Sequence, residues 1–220
     1  MPIITNQRVR LLGGARKWWL AGGAPVPVAV YQPKGAASLA ASYVNLARTD
    51  GTYNAAPGVA PTFAAATGWT FDGLTQYLFA GGIVPTQTYS AIIRFSNLTG
   101  TSTYLFGALR GASGFRITAN LSNTQVRYVN GTQVGAIPQL LGGVLAIAGV
   151  NGYRNGAVDV STLSASFASM HQIMIGAFNN DSASGSPSSF AACKIQAFAI
   201  YSSVLTPSQV ASVSAAMAAL

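Results

Sequence analysis

The chain has no glutamate and only four acids in all, together with one histidine and one cysteine. The acids are Asp50, Asp72, Asp159 and Asp181. They fall in separate segments, so no strand presents two carboxylates on one face and paired-carboxylate acid–base chemistry is excluded. The lone His171 has no nucleophile-elbow sequence near it, which removes a Ser-His-Asp triad. The lone Cys193 excludes an intrachain disulfide and any multi-cysteine metal site; inside an apolar run it is expected to be a small core residue. Long hydrophobic runs are also missing. The longest, residues 137–150, is too short and glycine-rich to span a bilayer and predicts a buried strand. Near the start, Gly13, Gly14, Arg16 and Lys17 interrupt any apolar core of a signal peptide, so none is expected. Without a secretory route, the sequons at Asn97, Asn120, Asn130 and Asn180 are turn chemistry.

What remains is half apolar and carries 24 glycines, with only 7% charged residues. That composition suits many short strands and tight turns, and it leaves too few charges for the surfaces of long helices. At 220 residues the chain can bury one sizeable core, so one domain is expected. Charge is unevenly placed: Arg8, Arg10, Arg16, Lys17, Lys34 and Arg48 all precede the first acid, Asp50. Residues 1–35 mix the first five of these basic residues with Trp18, Trp19, Gly22, Gly23, Pro25 and Pro27 and show no regular period. They predict an extended basic arm ahead of a domain at 36–220.

From Tyr43 onward, short apolar segments are bounded by Gly, Asn, Ser or Pro. Strands are expected at 69–71, 76–79, 88–95, 103–109, 115–119, 125–129, 144–150, 172–178 and 193–201, which predicts an all-β antiparallel sandwich. Asn130-Gly131 and Asn155-Gly156 supply hairpin turns. Thr206-Pro207-Ser208-Gln209 predicts an N-cap and a short C-terminal helix at 207–220, with Val210, Val213, Met217 and Leu220 on its apolar face.

Several of these segments, in order, resemble the laminin G-like branch of the concanavalin A-like lectin/glucanase superfamily. They are Trp69-Thr70-Phe71-Asp72-Gly73 with Gln76-Tyr77-Leu78, the strand from Tyr89 to Phe95, the turn Tyr153-Arg154-Asn155-Gly156, and Ile175-Gly176-Ala177. The closing strand from Ile195 to Tyr201 follows, with Leu205-Thr206-Pro207 and Val210. The resemblance covers roughly residues 65–215 and implies a concanavalin A-like jelly roll. Acids that often follow the first Ile of the closing strand are replaced by Gln196 and Ala197, which speaks against a family-type calcium site. The oxygen-rich cluster Asn179, Asn180 and Asp181 is then the calcium candidate. No cofactor is expected otherwise.

The arm-plus-domain layout also resembles laminin G-like proteins of bacteriophage virions. That likeness implies a non-enzymatic virion component, a capsid decoration or tail-associated protein made in the host cytoplasm. It would be held to other virion proteins, or to copies of itself, through Arg8, Arg10, Arg16, Lys17, Trp18 and Trp19. Diffuse basic residues without a recognised motif make nucleic acid an unlikely target. The alternative is a lectin-like module for cell-surface glycans, with Tyr128 and Tyr153, beside Trp69, as candidate sugar-facing aromatics.

Overall fold

The computed structural model describes residues 17–110, 113–167, 171–180 and 186–220. Among these residues the strands are, in chain order, β1 (Ala29–Tyr31), β2 (Ala56–Val59), β3 (Thr62–Ala64), β4 (Gly68–Thr70), β5 (Tyr77–Phe79) and β6 (Ser90–Thr99). Then come β7 (Phe106–Arg110), β8 (Ser113–Leu121), β9 (Gln125–Asn130), β10 (Thr132–Ala136), β11 (Gly143–Ala148) and β12 (Asn151–Arg154). The last are β13 (Ala157–Val160), β14 (Met174–Ile175), β15 (Phe178–Asn179), β16 (Pro187–Ser188) and β17 (Ala192–Tyr201). A 3-10 segment at Trp18–Gly23 and two helices, α1 (Leu39–Ser42) and α2 (Pro207–Ala218), complete the described elements.

The strands form two sheets. The first runs β13-β12-β11-β6-β17-β4-β3, with β1 also paired to β17; the second runs β10-β9-β8-β7-β14-β5-β2, with β15 and β16 beside it. Their inner faces meet in one apolar core. Ile93, Phe95, Ile195 and Phe198 come from the first sheet, and Leu78, Phe106, Phe115, Ile117 and Tyr128 from the second. Alternation along each strand sends every second side chain into this layer. The result is the antiparallel sandwich with a short C-terminal helix that the sequence predicts.

The outer face of the first sheet is covered. Val210, Val213 and Met217 of α2 are fully buried against Ile92, Ala146, Ala199 and Tyr201. The helix starts at the expected capping box, in which Gln209 N donates to Thr206 Oγ1 at 3.3 Å and Thr206 N to Gln209 Oε1 at 2.9 Å. At its other end Arg94 Nη1 donates to Met217 O at 2.8 Å, and Lys34 Nζ donates to Leu220 O. Two cations thus satisfy carbonyls at the negative pole of the helix.

The boundary expected at residue 35 needs correction, because the segment from Lys17 to Gly35 belongs to the sandwich. Trp18 and Trp19 are only 5% and 7% exposed and join the cluster beneath α2. Trp18 Nε1 donates to Gln32 Oε1 at 2.8 Å, and Trp19 O accepts from Tyr201 Oη at 2.8 Å. Next, β1 pairs with Phe198, Ala199 and Ile200 of β17. Buried Asn45 fixes that edge: its Oδ1 accepts from Val30 N at 2.9 Å and its Nδ2 donates to Val28 O at 3.0 Å. Burying two indoles is worth several kcal/mol, roughly 1.5–3 for each large apolar side chain. That gain outweighs the extended state expected from Gly and Pro content.

Candidate ligand-binding face

The outer side of the second sheet has no helix over it among the described residues. Alternation decides what reaches it. Phe115, Ile117 and Ala119 of β8 lie in the core, so Arg116, Thr118 and Asn120 project from the opposite side. Leu78 is in the core, which turns Tyr77 and Phe79 outward. Cross-strand register lines up Phe79, Met174, Gly107, Arg116 and Val129 in a single row.

Gly107 is what lets this row close up. A Cβ there would lie 2.7 Å from Phe178 Cβ and 3.1 Å from Arg116 Cβ. With no side chain at Gly107, Phe178 lies over β7 and meets Tyr104 with ring centroids 4.6 Å apart. The guanidinium of Arg116 stands 5.6 Å from the Tyr104 ring centroid. A second aromatic group lies along the row, about two strand spacings or ~10 Å away. There Tyr77 meets Phe79 at 5.4 Å and Phe190 at 6.2 Å. All five of these rings are half-buried, each with part of its surface in solvent.

Arg116 itself is buried, at 5% exposure, and its Nε and Nη1 have no hydrogen-bond partner among the described residues. Burial pulls its pKa down; a hydrogen bond with Tyr104 opposes this, and the nearby cation Arg127 adds to it. An arginine remains charged through such a shift. Buried oxygens without a partner among the described residues lie on the same face. Thr118 Oγ1 and Asn120 Oδ1 are on the same face of β8, Thr103 Oγ1 is on the residue bridged to Asn120, and Ser188 Oγ is on the residue paired with Phe178.

The residues proposed from sequence fall elsewhere. Tyr128 and Tyr153 are 0% and 1% exposed, and Trp69 is fully buried, so none offers a face to a sugar. The Tyr128 hydroxyl lies 2.9 Å from Asp159 Oδ2 and 3.1 Å from Tyr153 O, while the Tyr153 ring joins the cluster beneath α2. Trp69 Nε1 donates to Ser42 Oγ at 2.7 Å. These aromatics hold the core together. Trp18 and Trp19 are likewise interior, which corrects their reading as partner-binding anchors. Lys17 is exposed, with its Nζ 5.9 Å from the Trp19 ring centroid. Arg8, Arg10 and Arg16 lie outside the described residues, as does Asp181 of the calcium candidate. Of the other two members, Asn179 Oδ1 accepts from Ser186 N at 3.2 Å, whereas Asn180 is exposed and its backbone N–H donates to Ser186 O at 2.9 Å. Among the described residues no three His, Cys, Asp or Glu side chains gather as a metal site.

Among the described residues, three concavities lie away from this face. One, of about 610 Å³, is lined by Trp18, Leu20, Ala216 and Leu220 with Lys17 at its edge. It is largely apolar and lacks the convergent polar groups that orient a ligand. A second, of about 270 Å³, is lined by Gln32, Gly35, Val44 and Leu46, and a third, between Tyr53 and Tyr89, holds only about 120 Å³.

No protein-family model matches the chain, and no curated protein matches it. Solved structures do. Trypanosoma rangeli sialidase in complex with the inhibitor DANA superposes with a TM-score of 0.56 at 16% identity, over 87% of this chain and 33% of that one. The fold is the concanavalin A-like sandwich. Domain 4 of AbnA, a GH43 extracellular arabinanase from Geobacillus stearothermophilus in complex with arabinotriose, matches with a TM-score of 0.51 at 16% identity. That match covers 86% of this chain and 98% of the domain. The binding domain of botulinum neurotoxin serotype D matches with a TM-score of 0.56 at 13% identity, over 86% of this chain and 50% of that one. The chain spans about a third of the length of the sialidases it matches. At these identities the likeness is one of fold.

Proposed function

We propose that this chain is a non-catalytic carbohydrate-binding module whose ligand lies across the outer face of the second sheet. The observation that carries this reading is the contrast between the two outer faces. One is buried under α2 and the Trp18–Gly23 segment, whereas the other keeps Tyr77, Phe79, Phe190, Tyr104 and Phe178 half in solvent beside polar atoms with no partner among the described residues. Half-exposed rings with adjacent hydroxyl and amide groups suit the apolar faces and hydroxyl edges of a sugar. The fold is shared with a domain that was solved holding arabinotriose, which supports a sugar as the ligand class.

A non-catalytic role is supported by where the described carboxylates sit. Asp72 follows β4 and Asp159 lies in β13, five strands apart in the first sheet, or roughly 24 Å at ~4.8 Å per strand. Cleavage of a glycosidic bond by a carboxylate pair needs about 5–10 Å. Asp159 is also tied to Arg154 at 3.0 Å, and Asp50 Oδ1 accepts from Thr52 N at 2.8 Å. Attachment to a virion through the N-terminal segment loses its two tryptophan anchors to the interior, so that reading is not carried forward.

A glycan array probed with the full chain tests the proposal. Binding to a defined set of glycans is expected, and replacing Tyr77 and Phe190 together with Ala should weaken it by about tenfold or more, on the scale of one or two lost ring contacts. Absence of binding to every glycan, or undiminished binding by that double variant, would overturn it.

A further inference from the structure

Resting on the reading of this face as a sugar site, we infer that its ligand is an anionic glycan, and that Arg116 receives an oxyanion carried by the sugar. Arg116 is nine-tenths buried, with Nε and Nη1 lacking acceptors among the described residues. Its charged neighbour is Arg127, of the same sign. The carboxylates of the described residues, Asp50, Asp72 and Asp159, are held elsewhere. Asp159 pairs with Arg154, and Asp72 closes its own turn through Leu74, Thr75 and Gln76.

A buried guanidinium without a counter-charge is unfavourable, and arginine cannot escape by giving up its proton. The fold nevertheless keeps it, on a strand whose alternate residues Phe115 and Ile117 anchor the core. An oxyanion supplies what is missing, accepting from Nε or from Nη1, which point to different sides of the guanidinium, with the charge assistance that such pairs gain in a dry site. Thr118, Thr103 and Ser188 add hydroxyls able to donate to the anion or accept from a sugar hydroxyl, and Asn120 Oδ1 adds an acceptor. This donor and acceptor set suits a charged sugar better than a bare anion.

Tyr104 governs access. Its half-buried ring covers the guanidinium, and it follows a loop in which Gly100 and Ser102 adopt φ of 78° and 58°. Turning Tyr104 aside brings Arg116 to the surface of the aromatic row. Arg127, paired across the strands with Thr118, then adds a second positive charge at the same place.

The test uses the full chain against two matched pairs of probes: an oligogalacturonate with its carboxyl-reduced form, and an O-sulfated oligosaccharide with its desulfated form. Affinities are measured at about 50 mM and about 500 mM sodium chloride. In at least one pair the charged member should bind about tenfold tighter or more, and that preference should shrink in high salt. Which pair discriminates tells carboxylate from sulfate. Arg116→Lys keeps the charge but loses the planar fork, and should cut the charged probe's affinity about tenfold and so shrink its preference over the neutral partner. The matched pairs and the salt series need no variant, so they decide the matter even where that substitution unfolds the chain. Equal binding within both pairs, or a glycan array on which only neutral sugars bind, overturns the anionic ligand and leaves the sugar reading standing. An array on which no glycan binds overturns both.

Discussion

Phe178 occupies the space that a side chain at residue 107 would need: a Cβ on Gly107 would come within 2.7 Å of Phe178 Cβ. The absence of one side chain on β7 therefore sets the position of an aromatic ring on β15, and through it the contact with Tyr104. Gly107→Ala should push Phe178 away and destabilise the fold by about 1–3 kcal/mol, the usual penalty of overpacking. Urea unfolding measures the loss. An unchanged midpoint would mean that Phe178 is held by something other than this gap.

Removing the indoles of the N-terminal segment should also be costly. Trp18→Ala and Trp19→Ala are each expected to lower stability by about 3–5 kcal/mol, as for other buried aromatic truncations. Deletion of residues 1–35 removes β1 as well and should leave a chain that melts far lower or aggregates. A truncated chain with the full-length melting temperature would contradict the packing described here.

Acid stability should depend on Asp72. Its carboxylate accepts from the backbone N–H of Leu74, Thr75 and Gln76 at 2.9, 3.0 and 3.1 Å. Burial acts to raise its pKa, but these bonds outweigh it and hold the group at about 2, below the ordinary 3.8. A folded-state pKa below the unfolded one stabilises the fold above about pH 4, and the contribution is lost as pH falls through about 2. Melting temperature against pH should therefore drop less steeply across that window in Asp72→Ala, from a lower starting value at neutral pH. Parallel curves would remove Asp72 from the acid response.

Cys193 should be inert. It is 2% exposed within β17, and burial pushes its thiol pKa up to about 12, so almost no thiolate exists at neutral pH. An aromatic disulfide reagent should label it only after denaturant unfolds the chain, and modification at native rates would show that β17 opens locally.

The framework is legible in the sequence because short-range rules dominate there. Asn155-Gly156 adopts φ of 50° and 86° and turns the β12–β13 hairpin as its chemistry requires. Thr206 and Gln209 build their capping box without help from the rest of the fold. At Asn130-Gly131 the hairpin also forms, yet only Gly131 takes a positive φ, at 79°. Asn130 is drawn instead into the interior, where its Nδ2 donates to Gly149 O at 2.7 Å.

Tertiary placement is what local pattern hides. Tyr128 and Tyr153 beside turns resemble rim aromatics in sequence, but each sits at an alternation position that faces an apolar layer. Trp18 and Trp19 lie among glycines, prolines and basic residues, and nothing within the segment reveals the helix some 190 positions later that covers them. The proposed ligand-binding face did leave a trace. Phe115, Ile117 and Ala119 alternate with Arg116, Thr118 and Asn120, which marks an outward row with a cation in it. The neighbours that bury Arg116 come from Tyr104 and Phe178, and only the assembled sheet brings them together.

Lys34 and Arg94 pin the last turn of α2 to the first sheet, and Lys17 and Leu220 border the same concavity. Both ends of the described chain therefore emerge on the side opposite the aromatic row. A tether joined at Leu220, to a neighbouring domain or a solid support, leaves from the back of the molecule. The proposed binding face then points outward, so immobilisation through the C-terminus should preserve ligand capture, whereas coupling through groups near Arg127 should block it.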